Sequence, residues 1–140
     1  MNLMRFIEWD IPAFVKETKR DDLDGVIATF KNTHPRFSYV VVDEPSGTIS
    51  RAEEKKVISD NATCGVYFWK RGKDFCKYAR ESFHLDLSTH EQFFVSKVYD
   101  VGIQKGLVVR PFMCKKMWPL NTSKDLEQYY SARKNGLIRH

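Results

Sequence analysis

Apolar positions divide the chain into short strands and amphipathic helices that alternate along much of its length. Apolar runs of strand length occupy residues 25–30, 37–42, 65–69 and 107–113. Apolar positions recur at helical spacing over residues 11–20, in the segment after Gly72, and from Phe94 to Ile103. Short apolar runs rich in β-branched and aromatic residues are typical of buried strands. The alternation predicts an α/β fold with some antiparallel pairing.

Two polar motifs predict where helices begin. Asp10 precedes Ile11 and Pro12, and an Asp N-cap followed by Pro in the first turn is a helix start signal. Thr122 precedes Asp125 by three residues, which is a variant of the capping box. We therefore expect a first helix over residues 11–20 and a terminal helix that ends near Gly136.

A β-hairpin is predicted over residues 37–52. Asp43-Glu44-Pro45-Ser46-Gly47 has the composition of a turn between its two strands. The returning strand leads into the charged cluster Glu-Glu-Lys-Lys at residues 53–56, and a polar turn then precedes the next apolar strand.

Composition and charge narrow the class of protein. The 140 residues are 42% hydrophobic and 29% charged, which predicts one soluble globular domain over residues 1–140. The net charge of +5 suits anionic ligands, but the basic residues are spread as pairs, so neither nucleic acid nor membrane is an expected partner. Three cysteines without a C-x-x-C pair predict reduced thiols in the cytoplasm.

Three places carry candidate ligand chemistry. Glu54 and Lys55 form the first, because carboxylates accept from hydroxyl groups and ammonium groups bind phosphates. Asn121, before the capped terminal helix, is the second, since a helix N-terminus favours phosphate or phosphate-bound metal. The turn at residues 33–36 is the third, because Arg36 could steer an anion. Each also has a structural interpretation, as a solvated ion pair or a turn.

No complete catalytic site can be assembled from spacing. The four histidines lie in unrelated contexts, and Cys64 is predicted to be a small core residue rather than a nucleophile. The chain has neither a Gly-x-Gly-x-x-Gly motif nor a Gly-Lys-Ser/Thr loop. The catalytic residues therefore stay unknown at this point.

Several blocks, read in order, resemble a known family. They include Thr-His-Pro-Arg-Phe-Ser-Tyr-Val at 33–40, Asp43 with Gly47, Glu-Lys at 54–55, Ile-Ser-Asp-Asn-Ala-Thr-Cys-Gly-Val-Tyr-Phe at 58–68, Arg-Gly-Lys-Asp-Phe at 71–75, Phe-Phe-Val-Ser-Lys-Val-Tyr at 93–99 and Trp-Pro-Leu-Asn-Thr-Ser-Lys-Asp-Leu at 118–126. From about Ile7 to Tyr130 the chain resembles the C-terminal part of the sugar-1-phosphate nucleotidyltransferases, or nucleotide-sugar pyrophosphorylases.

The resemblance implies a fold, a reaction and a set of site residues. It implies a Rossmann-like mixed sheet of the glycosyltransferase-A type, incomplete at its N-terminus. Such enzymes join a nucleoside triphosphate to a sugar 1-phosphate and release pyrophosphate, with Mg²⁺ as cofactor. By resemblance, Glu54 would accept from sugar hydroxyls, Lys55 would approach the phosphates, and Gly65 would leave room for the sugar ring. Asn121 would contact substrate and support the metal.

The departures from the family pattern shape the expected function. The family's glycine-rich nucleotide loop lies upstream of anything present here, and the place of its metal-binding Asp reads Asn-Leu-Met-Arg at residues 2–5. One hypothesis is a partial or divergent nucleotidyltransferase, inactive alone, that binds a sugar 1-phosphate or nucleotide sugar. It would form a homo-oligomer or join a partner chain that supplies the nucleotide-binding half.

Two alternatives remain open. One is a non-catalytic assembly or binding module derived from that fold, and the other is a self-sufficient transferase with a rebuilt site. The first hypothesis also predicts an exposed apolar sheet edge where the missing half would pack.

Overall fold

The computed structural model describes residues 5–86 and 95–138, in which one mixed sheet carries helices on one face and a smaller sheet on the other. The strands are β1 (Arg5–Glu8), β2 (Gly25–Lys31), β3 (Tyr39–Asp43), β4 (Thr48–Glu53), β5 (Asn61–Trp69), β6 (Val109–Met113) and β7 (Lys116–Pro119). The helices are α1 (Ile11–Thr18), α2 (Gly72–Asp86), α3 (Val95–Gln104) and α4 (Ser123–Lys134).

The large sheet has the strand order β4-β3-β5-β2-β6. β2 runs parallel to β6, and the other neighbouring strands are antiparallel. Since the chain passes from β5 through α2 and α3 before β6, one parallel pair is added to an otherwise antiparallel sheet. β1 and β7 pair separately as a two-stranded antiparallel sheet. The predicted α/β class with antiparallel pairing is confirmed.

β2 is the buried centre of the sheet and supplies both faces of the core. Ile27 packs with α2 and α3 residues on one face, while Ala28 and Phe30 pack on the other face with the small sheet. Residues 25–30 are all buried. A continuous apolar run is what a strand covered on both faces requires.

Gly25 allows a helix side chain to bond directly to the sheet. A Cβ on Gly25 would lie 2.9 Å from the Phe68 carbonyl oxygen and 3.0 Å from the Tyr99 ring. In that space the Tyr99 hydroxyl, on α3, donates to the Phe68 carbonyl at 2.7 Å. The absent side chain thus lets α3 approach the sheet closely.

Local signals located several elements correctly. Asp10 caps α1 by accepting from the Ala13 amide at 3.0 Å, and Thr122 caps α4 in a complete capping box. The hairpin of β3 and β4 is confirmed. β5 begins at Asn61, earlier than the predicted 65, because the polar Asn-Ala-Thr segment also pairs with β2.

Some expectations failed or fall outside the described residues. β7 was not predicted, because Lys-Met-Trp-Pro is too short for a periodic pattern and owes its strand conformation to pairing with β1. The predicted start of the helix at Phe94 and the metal-related positions 2–4 lie outside the described residues. Within residues 5–86 and 95–138, no helix is both long enough and apolar enough to span a membrane.

Candidate functional site

The short segment before β3 connects two of the predicted site residues. Ser38 donates its hydroxyl to Oε2 of Glu54. The carbonyl of Ser38 accepts from the Thr63 amide at 2.9 Å, two residues before Gly65 on β5. Glu54 and Gly65 are therefore brought to the same end of the sheet by contacts with one residue.

Arg36, two residues earlier, connects the same segment to Asn121. Its guanidinium forms two parallel bonds of 3.1 Å to the carboxylate of Asp125, and Oδ2 of Asp125 accepts from the Asn121 amide at 3.2 Å. Since two residues of extended chain span about 7 Å, segment 36–38 links the surroundings of Glu54, Gly65 and Asn121 in space.

Glu54 is held in place by two hydroxyl groups. Ser96 on α3 donates to Oε2 at 3.1 Å, the same oxygen that accepts from Ser38. Ser96 is 1% exposed and Ser38 9% exposed. Hydrogen bonds to an ionised carboxylate are stronger than neutral ones. The two serines therefore fix the Glu54 side chain at the end of β4.

Lys55 lies at an unusual backbone position. Its φ is +50°, in the left-handed region that residues other than glycine seldom adopt and that costs about 1–2 kcal/mol. Such backbone strain is concentrated at functional sites. The turn presents Lys55 at the surface, directly after the fixed carboxylate of Glu54.

Gly65 lies in a bulge of β5, and its open side is filled by a guanidinium group. Ile27 pairs with Tyr67 and Thr29 with Thr63, so three residues of β5 oppose one residue of β2. Gly65 has φ +83°, and a Cβ there would collide with the Arg5 guanidinium. Arg5 donates to the carbonyl of the preceding Cys64. The space expected for a sugar ring thus holds the Arg5 side chain.

Tyr67 senses the charges on both sides of this site. Burial raises the pKa of its hydroxyl, a hydrogen bond with Thr63 lowers it, the Glu54 carboxylate raises it, and the Arg5 guanidinium lowers it. The Tyr67 hydroxyl therefore lies within electrostatic reach of both Glu54 and Arg5.

Arg36 and Asp125 form the rigid base of the site. The Arg36 hydrogen bonds lower the pKa of Asp125 from its usual 3.8 to about 2. The carboxylate also accepts from the Thr122 amide at 3.2 Å. Because both terminal nitrogens of Arg36 bind Asp125, the structure gives Arg36 a role in fixing the start of α4 rather than in steering an anion.

The donor atoms near Asn121 do not make a magnesium site. Oδ1 of Asn121 is buried without a hydrogen-bond partner in the described part of the chain. However, the described residues contain no group of three His, Cys, Asp or Glu side chains that could hold a metal. Mg²⁺ prefers about six oxygen ligands in octahedral geometry, so Asn121 alone does not fit it.

Cys64 is a core residue, as predicted. It is 0% exposed and is a free thiol. A hydrogen bond with Cys114 and burial raise the pKa of the Cys64 thiol. A thiol that resists ionisation is a poor nucleophile.

A surface groove of about 800 Å³ lies beside β1 and the start of α1. Glu8 and Asp10 are its acidic residues, but Glu8 accepts from the Trp118 indole at 3.2 Å and Asp10 caps α1. None of the predicted site residues lines it. Its acidic groups already have structural partners, so it is not the candidate site.

Sequence reasoning identified Glu54 but missed the residues that hold and cover the site. Ser38, Ser96 and Arg5 act on partners 16, 42 and 59 residues away in the chain. A position just before a strand gave Ser38 a weak signal. No local pattern distinguishes Ser96 or Arg5 from ordinary polar residues.

Comparison with known proteins gives a fold. No protein-family model matches the sequence, and no curated protein sequence matches it. A nucleoside-diphosphate-sugar pyrophosphorylase from Vibrio cholerae RC9 superposes with a TM-score of 0.69 at 19% identity, over 90% of this chain and 50% of that one. A Bacillus anthracis protein described as a glucose-1-phosphate thymidylyltransferase gives 0.72 at 16% identity, over 97% and 53%.

A third solved structure agrees with these two. The inositol-1-phosphate CTP transferase from T. maritima gives a TM-score of 0.60 at 16% identity, over 93% of this chain and 51% of that one. The chain thus has the Rossmann-like α/β fold of sugar-phosphate nucleotidyltransferases and spans about half the length of these proteins.

Proposed function

We propose that this chain binds a sugar 1-phosphate, or the sugar-phosphate part of a nucleotide sugar, as the sugar-binding half of a nucleotidyltransferase-like protein. The observation that supports this most is the Glu54 carboxylate, fixed by Ser38 and Ser96 at the end of β4. The exposed Lys55 follows it directly. A fixed acceptor for hydroxyl groups beside a cation suits a ligand that carries both hydroxyls and phosphate.

Each residue has a definite role in this proposal. Glu54 accepts from ring hydroxyls through Oε1, because both serine hydroxyls bind Oε2. Lys55 neutralises phosphate charge. Gly65 contacts the ring only once the Arg5 guanidinium moves aside. Asn121 contributes its buried amide oxygen as a further acceptor.

The proposal assigns no catalytic residue to this chain. We propose that the chain is inactive alone and that nucleotide contacts come from outside these 140 residues, either from a homo-oligomer or from a partner chain. Magnesium belongs to the proposal as the cofactor of such a completed enzyme, with most of its ligands outside the described residues. The three free thiols support a cytoplasmic location, where cysteines stay reduced.

Isothermal titration tests the proposed binding. The purified chain is titrated with a panel of sugar 1-phosphates and nucleotide sugars, with and without Mg²⁺. We expect at least one ligand to bind, and Glu54→Ala and Lys55→Ala each to weaken it at least about tenfold, which corresponds to about 1.4 kcal/mol. Lys56→Ala is the matched control, because it removes an adjacent exposed cation and should bind normally.

The contrary result is equally clear. If a well-folded sample gives no heat with any ligand in the panel, the sugar-phosphate proposal fails. The fold would then be better explained as a non-catalytic assembly module.

A further inference from the structure

β5 lies inside the sheet but has a second neighbour over only part of its length. β2 pairs with it from Asn61 to Trp69, whereas β3 pairs only with Asn61 and Ala62. The Thr63 amide adds one bond, to Ser38. Among the residues that the structure describes, no strand pairs with residues 64–69 on the side away from β2. We call this side of residues 64–69 the open edge.

The backbone groups of Tyr67 and Trp69 point out of the open edge. The Lys70 amide donates to the Asp24 carbonyl at 2.9 Å, towards the β2 side. Because backbone groups of successive residues alternate in direction along a strand, those of Phe68 also point to β2. Those of Tyr67 and Trp69 therefore point the other way.

The two outer edges of the sheet are protected. On β4, Asp100 of α3 accepts from the Ala52 amide at 2.8 Å, and Gln104 donates to the Ser50 carbonyl at 3.2 Å. On β6, Pro111 has no amide to offer. Helix cover and proline are usual ways to prevent pairing with another chain.

The open edge has no such protection. Its last four residues are Val-Tyr-Phe-Trp, without a charge or a proline. Tyr67 and Trp69 stack on Tyr99 at 5.6 and 4.2 Å on one face, and Val66 packs against the other core cluster. Residues 66–69 are only partly buried. An added strand that is apolar on both faces would bury them further.

We propose that the open edge of β5 is a docking surface for an apolar β-strand from a second, different polypeptide. The solved structures with this fold are about twice as long as this chain, which covers 50–53% of them. Their remaining halves are polypeptide of the kind that completes such a sheet. Backbone hydrogen bonds along an exposed edge are a common mode of recognition between chains. This surface goes beyond the proposed ligand site, since it depends on no sugar contact.

Hydrogen exchange of single amides tests whether the edge is open. In the isolated monomeric chain, the amides of Tyr67 and Trp69 should exchange at least about a hundredfold faster than that of Phe68, which is bonded to β2. Equal protection of all three amides in a monomer would overturn the proposal, because the chain itself would then cover the edge. Protection that appears only as the chain dimerises would show that a second copy is the occupant and would also overturn it.

A co-expression experiment tests the partner. The probe is the part of the Bacillus anthracis protein that this chain does not match. We expect a one-to-one complex in which the Tyr67 and Trp69 amides become protected. Phe68→Lys should weaken the complex at least about tenfold, or Val66→Lys if that variant does not fold. Ser50→Lys, on the protected β4 edge, should leave it intact.

Either failure of this experiment overturns the proposal. The first is the absence of any complex, and the second is a complex that tolerates a lysine on the open edge. Sugar titration is independent of both results, so the docking surface and the ligand site can fail separately.

Discussion

Asp125 shows at the scale of a single residue how a buried charge is made stable. Its side chain is 7% exposed, and it accepts from the Arg36 guanidinium and from the amides of Asn121 and Thr122. A buried carboxylate is tolerated only when it is paired and hydrogen-bonded. These bonds join the turn before β3 to the start of α4.

Replacing Asp125 should therefore cost stability in a pH-dependent way. Asp125→Asn should lower the free energy of unfolding at pH 7 by about 2 kcal/mol. Because folding lowers the pKa of Asp125 from 3.8 to about 2, the stabilisation is complete above the higher value and is lost as pH falls towards the lower one. Urea unfolding at pH 7 and pH 3 should show a smaller difference between wild type and variant at pH 3.

Asp60→Asn is the control for that measurement, because Asp60 forms an ion pair with Lys31 while 61% exposed. It should change stability by less than about 0.5 kcal/mol. A difference between wild type and Asp125→Asn that stays constant from pH 7 to pH 3 would contradict the assigned role of the carboxylate.

Gly65 and Arg5 should be energetically coupled. Gly65→Ala should destabilise the chain by more than about 1 kcal/mol, because alanine is strained at φ +83° and its Cβ collides with Arg5. Adding Arg5→Ala removes the collision but leaves the backbone strain. A double-mutant cycle by thermal unfolding should give a coupling of at least about 0.5 kcal/mol. Additive effects would show that Arg5 does not lie over Gly65.

At the scale of elements, the contact between α3 and the sheet depends on the missing side chain at Gly25. Gly25→Ala should cost about 1–3 kcal/mol by overpacking, since its Cβ would meet the Phe68 carbonyl and the Tyr99 ring. Thermal unfolding measures the effect. Gly72→Ala is the matched control, because its Cβ would have no neighbour within 4 Å. Equal effects of the two substitutions would contradict close packing at Gly25.

The sequence revealed the elements whose signals are local. Asp10 and Thr122 marked the starts of α1 and α4, and the turn around Gly47 marked the hairpin. It did not reveal β7 or the bulge at Gly65, because both are defined by pairing with strands that are distant in the chain. Pairing register is a property of the assembled sheet and has no sequence period of its own.

The candidate site divides in the same way. The cluster around Glu54 stands out in the sequence because charged residues precede an apolar strand. Its support does not, since the serines that hold Glu54 come from the turn before β3 and from α3. The sequence therefore predicts a ligand group, while only the fold shows how it is fixed and that Arg5 covers the adjacent glycine.

At the scale of the whole molecule, two surfaces define what the chain can do. One end of the sheet carries the Glu54 site, and the open edge of β5 exposes backbone groups for a further strand. The chain spans about half the length of the solved structures that share its fold. Sugar-phosphate binding by this half, with the nucleotide contacts supplied from elsewhere, accounts for both surfaces together.

The most direct test of this account is the titration of the folded chain with sugar 1-phosphates, compared between Glu54→Ala and Lys56→Ala. The account predicts that the wild type and Lys56→Ala bind alike and that Glu54→Ala binds at least about tenfold more weakly, a loss of about 1.4 kcal/mol. Unchanged binding in Glu54→Ala, or no binding by the wild type, would contradict it.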